Sequence, residues 1–152
     1  MLEFFSSSTR MVNTKRGVME LLESAMGSDY VNADLIILHA SIGHNFQDLV
    51  DQAHDMAPNA RIVAASCCGV VGVEGVSESM KDIALMAVKG KDFALASVDG
   101  INGHNSYEKC KEMAFDTEEM VKVFAKPGTP SNSTWPPVKS PIMIPSIISF
   151  CP

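Results

Sequence analysis

The chain has 152 residues, 46% hydrophobic and 20% charged, a balance that suits one ordinary globular domain with a real core. Its net charge of −6 comes without any Lys/Arg cluster, which disfavours a nucleic-acid surface built on a basic stripe. No apolar run approaches the roughly 20 residues needed to cross a bilayer, and the opening MLEFFSSSTR has neither the basic nor the apolar region of an export signal.

Residues 2–8, LEFFSSS, predict a short strand running into a serine-rich turn. A helix follows from Asn13 or Thr14. Its apolar residues Val18, Leu21, Leu22, Ala25 and Met26 recur at helical spacing, and Gly27 stands where a terminating glycine belongs. The uninterrupted apolar run in DLIILHA (34–40) predicts a strand buried on both faces of a parallel sheet. A second helix, 45–57, carries Phe46, Leu49, Val50, Ala53 and Met56 on one side and ends before Pro58. About twelve helical residues span roughly 18 Å, enough to bring the chain back so that the next strand, ARIVAAS (60–66), runs parallel to its predecessor.

Two further strands are predicted at 81–88 and 92–98, with Lys89, Gly90 and Lys91 forming a hairpin between them. A helix over 106–125 follows, capped by Asn105 and Glu108, with Cys110, Met113, Ala114, Thr117, Val121 and Phe124 as its inward stripe. From Lys126 the character changes, because seven of the eight prolines fall in the last 27 residues. No helix survives that density. The expected architecture is therefore α/β, a mixed, partly parallel sheet flanked by helices. It comprises a domain over 1–125 and a Pro-rich irregular C-terminal tail over 126–152. That tail is either a linker and loose end or the stub of a truncated longer protein, since IMIPSIISFCP is an apolar finish.

The two parallel strands empty into loops of small residues, SIGHN (41–45) and CCGVVGVEG (67–75). In an open α/β sheet, ligands bind outside the carboxyl ends of the parallel strands. Ser41, Gly43, His44, Ser66, Cys67, Cys68 and Gly69 are the expected ligand-binding residues. Hydroxyls and backbone N–H groups would hold a carboxylate or carbonyl, and the glycines would let a ligand approach the backbone.

The same residues raise other chemistry. The four cysteines, Cys67, Cys68, Cys110 and Cys151, are too sparse and irregular for a secreted disulfide framework, and a reducing cytoplasm is the expected compartment. Cys67 or Cys68 would act as a nucleophile only with a base or cation to lower the thiol pKa, and His39 and His44 end the neighbouring strand. A small cysteine packed at a strand end is the plainer reading. His39, His44, Cys67 and Cys68 match no common zinc spacing beyond H-x₄-H, so no metal is expected. Gly69, Gly72 and Gly75 give G-x-x-G-x-x-G, which is neither the dinucleotide fingerprint nor the Walker pattern. This is either a flexible turn or a loop folding over a neutral or zwitterionic ligand. Gly100, Gly103 and His104 border the crevice only if strand 92–98 is central in the sheet.

Taken together, the pattern resembles the N-terminal part of the FIST domain (F-box and intracellular signal transduction proteins). The likeness covers roughly residues 2–125 and centres on the helix-flanked strand before Ser41 and the turn after β-type residues 60–66. Against the family's G-C-S-T-A-G-E turn, Ser66 and Gly69 match. Ala64, Ala65, Cys67, Cys68 and Val70 occupy its Gly, Cys, Thr, Ala and Glu positions. Gly75 and the strand through Ile83 and Val88 also fit. The resemblance implies a sensory module that binds a small molecule, amino acids being the proposed ligands, with a signalling protein or a missing C-terminal FIST half as its partner. Some relatives are similar to haem-linked nitric-oxide sensors, and His39, His44 and His104 leave an axial haem ligand chemically open. The rivals are a Cys-dependent enzyme and a scaffold whose helix faces dock on that missing half.

Overall fold

The computed structural model describes residues 1–72 and 75–124, with side chains described through residue 117. These residues fall into two compact units that part after Lys91. The proline-rich tail expected over 126–152 lies outside the described residues.

The first unit runs β1 (Glu3–Thr9), α1 (Thr14–Met26), a 3-10 turn (Gly27–Asn32), β2 (Leu35–Ser41), α2 (Phe46–Met56), β3 (Arg61–Cys67), β4 (Val70–Gly72), β5 (Gly75–Ser77) and β6 (Ile83–Lys89). Four of the strands form one sheet in the order β1-β6-β2-β3, and β4 and β5 form a separate hairpin. Strands β2 and β3 are parallel, whereas β6 runs antiparallel to both β1 and β2. This is the mixed, partly parallel α/β sheet that the sequence predicts. Because β6 alone is reversed, β1, β2 and β3 all end on the same rim.

The helices form where side-chain caps and apolar stripes agree. Asn13 Oδ1 accepts from the Arg16 N–H (3.0 Å) at the start of α1, and Gly27, at φ 60°, ends it. Asn45 Oδ1 accepts from Gln47 N (3.0 Å) and Asp48 N (3.2 Å) at the start of α2. Such caps satisfy donors that the first helical turn leaves orphaned. Val18, Leu21 and Leu22 of α1 and Leu49 and Ala53 of α2 meet Ile36, Leu38, Leu85 and Ala87 of the sheet in one core. Each buried Leu, Ile or Val contributes about 1.5–3 kcal/mol relative to exposure.

Four expectations change here. The serines placed in a turn are in β1 itself. Ser7 is buried and its hydroxyl donates to Leu21 O (2.8 Å), so a tertiary bond to α1 overrides the serines' turn preference. Strand β2 is not buried on both faces. Ile36, Leu38 and Ala40 face the helices, whereas on the other face Ile37 is half-buried and His39 is exposed. Residues 92–98 form no strand, and no hairpin joins them to β6. Both sides of β6 are already taken by β1 and β2, so a partner following it directly has nowhere to pair. Gly90, at φ 116°, instead turns the chain, its N–H donating to Asp34 Oδ2 (2.7 Å).

The second unit contains α3 (Ser106–Phe124), which the sequence places well. Its start differs from the expected Asn105–Glu108 pair. Asn105 turns back to the preceding loop, accepting from Asn102 N (2.7 Å) and donating to Gly100 O (2.9 Å). Of its expected inward stripe, Cys110 and Ala114 are exposed, and Met113 and Thr117 are half-buried. The side chains of Val121 and Phe124 lie outside the described residues. With 92–98 irregular, Gly100, Gly103 and His104 belong to the loop before α3 rather than to a strand end.

Candidate functional site

The rim is set by register. Ser41 pairs with Cys67, and Ala40 with Ser66, across the parallel β2–β3 ladder. Successive strand side chains alternate between faces. Since Ala40 joins the helix-side core, Ser66 lies on that same side, and Ser41 and Cys67 lie on the opposite face. The two serines thus share a rim on neighbouring parallel strands, but not one face. Ser66 is exposed, whereas Ser41 is buried and its hydroxyl has no hydrogen-bond partner.

The loop after β2 is held from two sides. The Ser41 N–H donates to Asp82 O (2.9 Å), and the His44 N–H donates to Ser41 O (3.1 Å). A side chain at Gly43 would come within 2.3 Å of Met80 O, so glycine is required by the approach of the 78–82 segment. His44 Nδ1 lies 3.1 Å from Thr14 Oγ1, which also accepts from Asn45 N (3.3 Å). The direction of the Thr14–His44 hydrogen bond follows the imidazole tautomer, since a hydroxyl both donates and accepts. Nε2 is buried with no partner. An unmade buried hydrogen bond of this kind costs about 1–3 kcal/mol.

Beyond β3, Cys67 is half-buried and its thiol donates to Ala40 O (3.5 Å). Burial pushes the Cys67 pKa up, and a smaller opposing pull comes from the Gly69 backbone. That direction is the reverse of what a nucleophilic thiolate needs. Cys68 and Gly69 are exposed, and a side chain at Gly69 would meet Ser77 O at 3.0 Å. Among the described residues, no group of three or more His, Cys, Asp or Glu is placed to hold a metal ion. His39 and His104 are exposed and His44 meets Thr14 through Nδ1, while a depression of about 500 Å³ over Met11, Arg16 and Glu20 is lined by no histidine or cysteine.

Sequence reasoning missed what lies under the glycine-rich loop. That loop is the β4–β5 hairpin, with Val70 opposite Ser77 and Gly72 opposite Gly75. The two-residue spacing between Gly72 and Gly75, flanked by Val-Val and Val-Ser, is a hairpin signal that could have found it. The hairpin lies against β1: a side chain at Gly72 would come within 2.4 Å of Ser8 Cβ. Between them is a cleft of about 20 Å³ lined by Ser8, Thr9, Arg10, Ser77 and Asp82. Asp82 is buried, and nothing in its sequence neighbourhood marks it.

Comparison of the chain with protein-family models and with curated proteins finds no match to either. No helix among the described residues is long and apolar enough to cross a membrane.

Proposed function

We propose that the first unit is the ligand-binding part of a sensory module in a signal-transduction protein. It would hold a small polar molecule, amino acids foremost, at the carboxyl rim of β2 and β3. The observation that carries this reading is the pair of buried polar atoms at that rim, Ser41 Oγ and His44 Nε2, that have no partner. A hydroxyl and an imidazole nitrogen left unsatisfied beside two parallel strand ends would suit a small polar ligand, a carboxylate or carbonyl where the nitrogen carries the proton. The resemblance of residues 2–125 to the N-terminal FIST pattern suggests the sensory role and a signalling protein or C-terminal FIST half as the partner. Binding would act by favouring one arrangement of the 41–45 and 67–69 loops over others. A Cys-dependent enzyme is the weaker reading, because burial drives the Cys67 thiol away from its reactive form.

The test is a thermal-shift screen over the amino acids with the full chain. A ligand at 100 times its Kd adds about 2.7 kcal/mol, which raises Tm by roughly 5–10 °C. Ser41→Ala should weaken the same ligand about tenfold without lowering the ligand-free Tm, since the lost hydroxyl bonds to nothing in the protein. A silent panel, or a Ser41→Ala protein that binds as well as the parent, would remove the proposal.

A further inference from the structure

We propose that the cleft between the β4–β5 hairpin and the ends of β1 and β6 is a subsite for a primary ammonium group. It is separate from the Ser41–His44 rim and uses neither residue. Three observations converge on it. The first is size: about 20 Å³ admits one water-sized group, and an ammonium head is water-sized. The second is an excess of acceptors. Among the described residues, Ser8 Oγ is buried with no partner, and the buried Asp82 carboxylate receives the Ser79 N–H (3.0 Å) and an Arg10 Nε at 3.4 Å. A carboxylate accepts at about four lone-pair sites, so part of its capacity is unused.

The third is that the other hydroxyls lining the cleft are partly engaged. Thr9 Oγ1 donates to Glu20 Oε1 (3.0 Å) and accepts from Met11 N (3.3 Å), and Ser77 Oγ accepts from Ser79 N (3.4 Å). A group that only donates, carrying a positive charge and about three N–H bonds, complements what remains. The backbone of Gly72 and Gly75 closes the opposite wall without side chains to obstruct it. Arg10 is the competing cation. Its side chain is 64% exposed, so it contacts Asp82 from the solvent side and can turn outward to a carboxylate on the same ligand.

The experiment is an amide NMR titration of the full chain with methylammonium chloride, compared with tetramethylammonium chloride and NaCl at equal ionic strength. Methylammonium should give saturable shifts at Gly75, Ser77 and Ser79, and tetramethylammonium, too large for the cleft, should not. Ser8→Ala keeps the Cβ against Gly72 and should raise the methylammonium Kd by about 2–10-fold. Asp82→Asn should abolish the response, but that carboxylate also holds the 79–82 turn, so Ser8→Ala is the deciding variant. Equal shifts from both ammonium ions, an unchanged titration in Ser8→Ala, or no saturable shift would each overturn the subsite and leave a water site only. None of these results bears on the amino-acid screen through Ser41.

Discussion

In α1 the stripe of Val18, Leu21, Leu22 and Met26 is at most 9% exposed, whereas in α3 the comparable stripe leaves Cys110 and Ala114 open to solvent. Both helices read from sequence as amphipathic. The difference lies in what surrounds them within each unit. Helix α1 has β1, β6 and α2 to pack on, and its entry is fixed by an asparagine cap. Among the described residues, helix α3 shares its unit with 92–105 alone, which form no helix or strand. A periodic stripe states that a helix can bury one side; only a facing surface makes it do so.

The largest expected contrast follows from that. Leu21→Ala should cost about 2–5 kcal/mol in urea unfolding, and Phe115→Ala in α3, 60% exposed, should stay within about 0.5 kcal/mol. Comparable losses would mean that Phe115 is packed rather than open to solvent. Gly43→Ala should come next, at about 1–3 kcal/mol, because the added methyl meets Met80 O and must push two chain segments apart. A neutral Gly43→Ala would show that those segments are loosely held. Asn45→Ala should cost about 1 kcal/mol. Asn105→Ala should cost clearly less, since its side chain bonds the 100–102 loop rather than the helix N–H groups. Equal costs would restore the capping role expected for Asn105.

The smallest effect concerns the thiols. With its pKa raised by burial, Cys67 should alkylate more slowly than exposed Cys110 at neutral pH, its rate still climbing at alkaline pH. Mass spectrometry of timed iodoacetamide labelling reads this directly. Faster labelling at Cys67 would revive the nucleophile reading.

Much of the first unit is legible from residues alone. Asn13, Gly27 and Asn45 announce helix ends, and the 3.6-residue stripes of α1 and α2 give their buried sides. The parallel pairing of β2 and β3 follows from the helix length between them. What the sequence does not carry is which strand sits where. Inserting β6 between β1 and β2 is a long-range choice, and it alone removes the hairpin expected at Lys89–Lys91. Register is likewise hidden: a one-residue offset puts Ser66 and Ser41 on opposite faces, although both were expected around one ligand. The cleft residues Ser8, Arg10 and Asp82 come from three places in the chain and share no local pattern.

The position of β6 also shapes the order of assembly. Strand β1 touches no other strand of the main sheet, and its ladder joins Glu3 to Lys89. During synthesis, then, β1 waits unpaired until Lys89 has left the ribosome, with Phe4 and Phe5 at risk of finding other company. Such distant pairing makes for slow closure. A chaperone holding nascent β1, or a slow translation step just after residue 89, would be felt most at this strand.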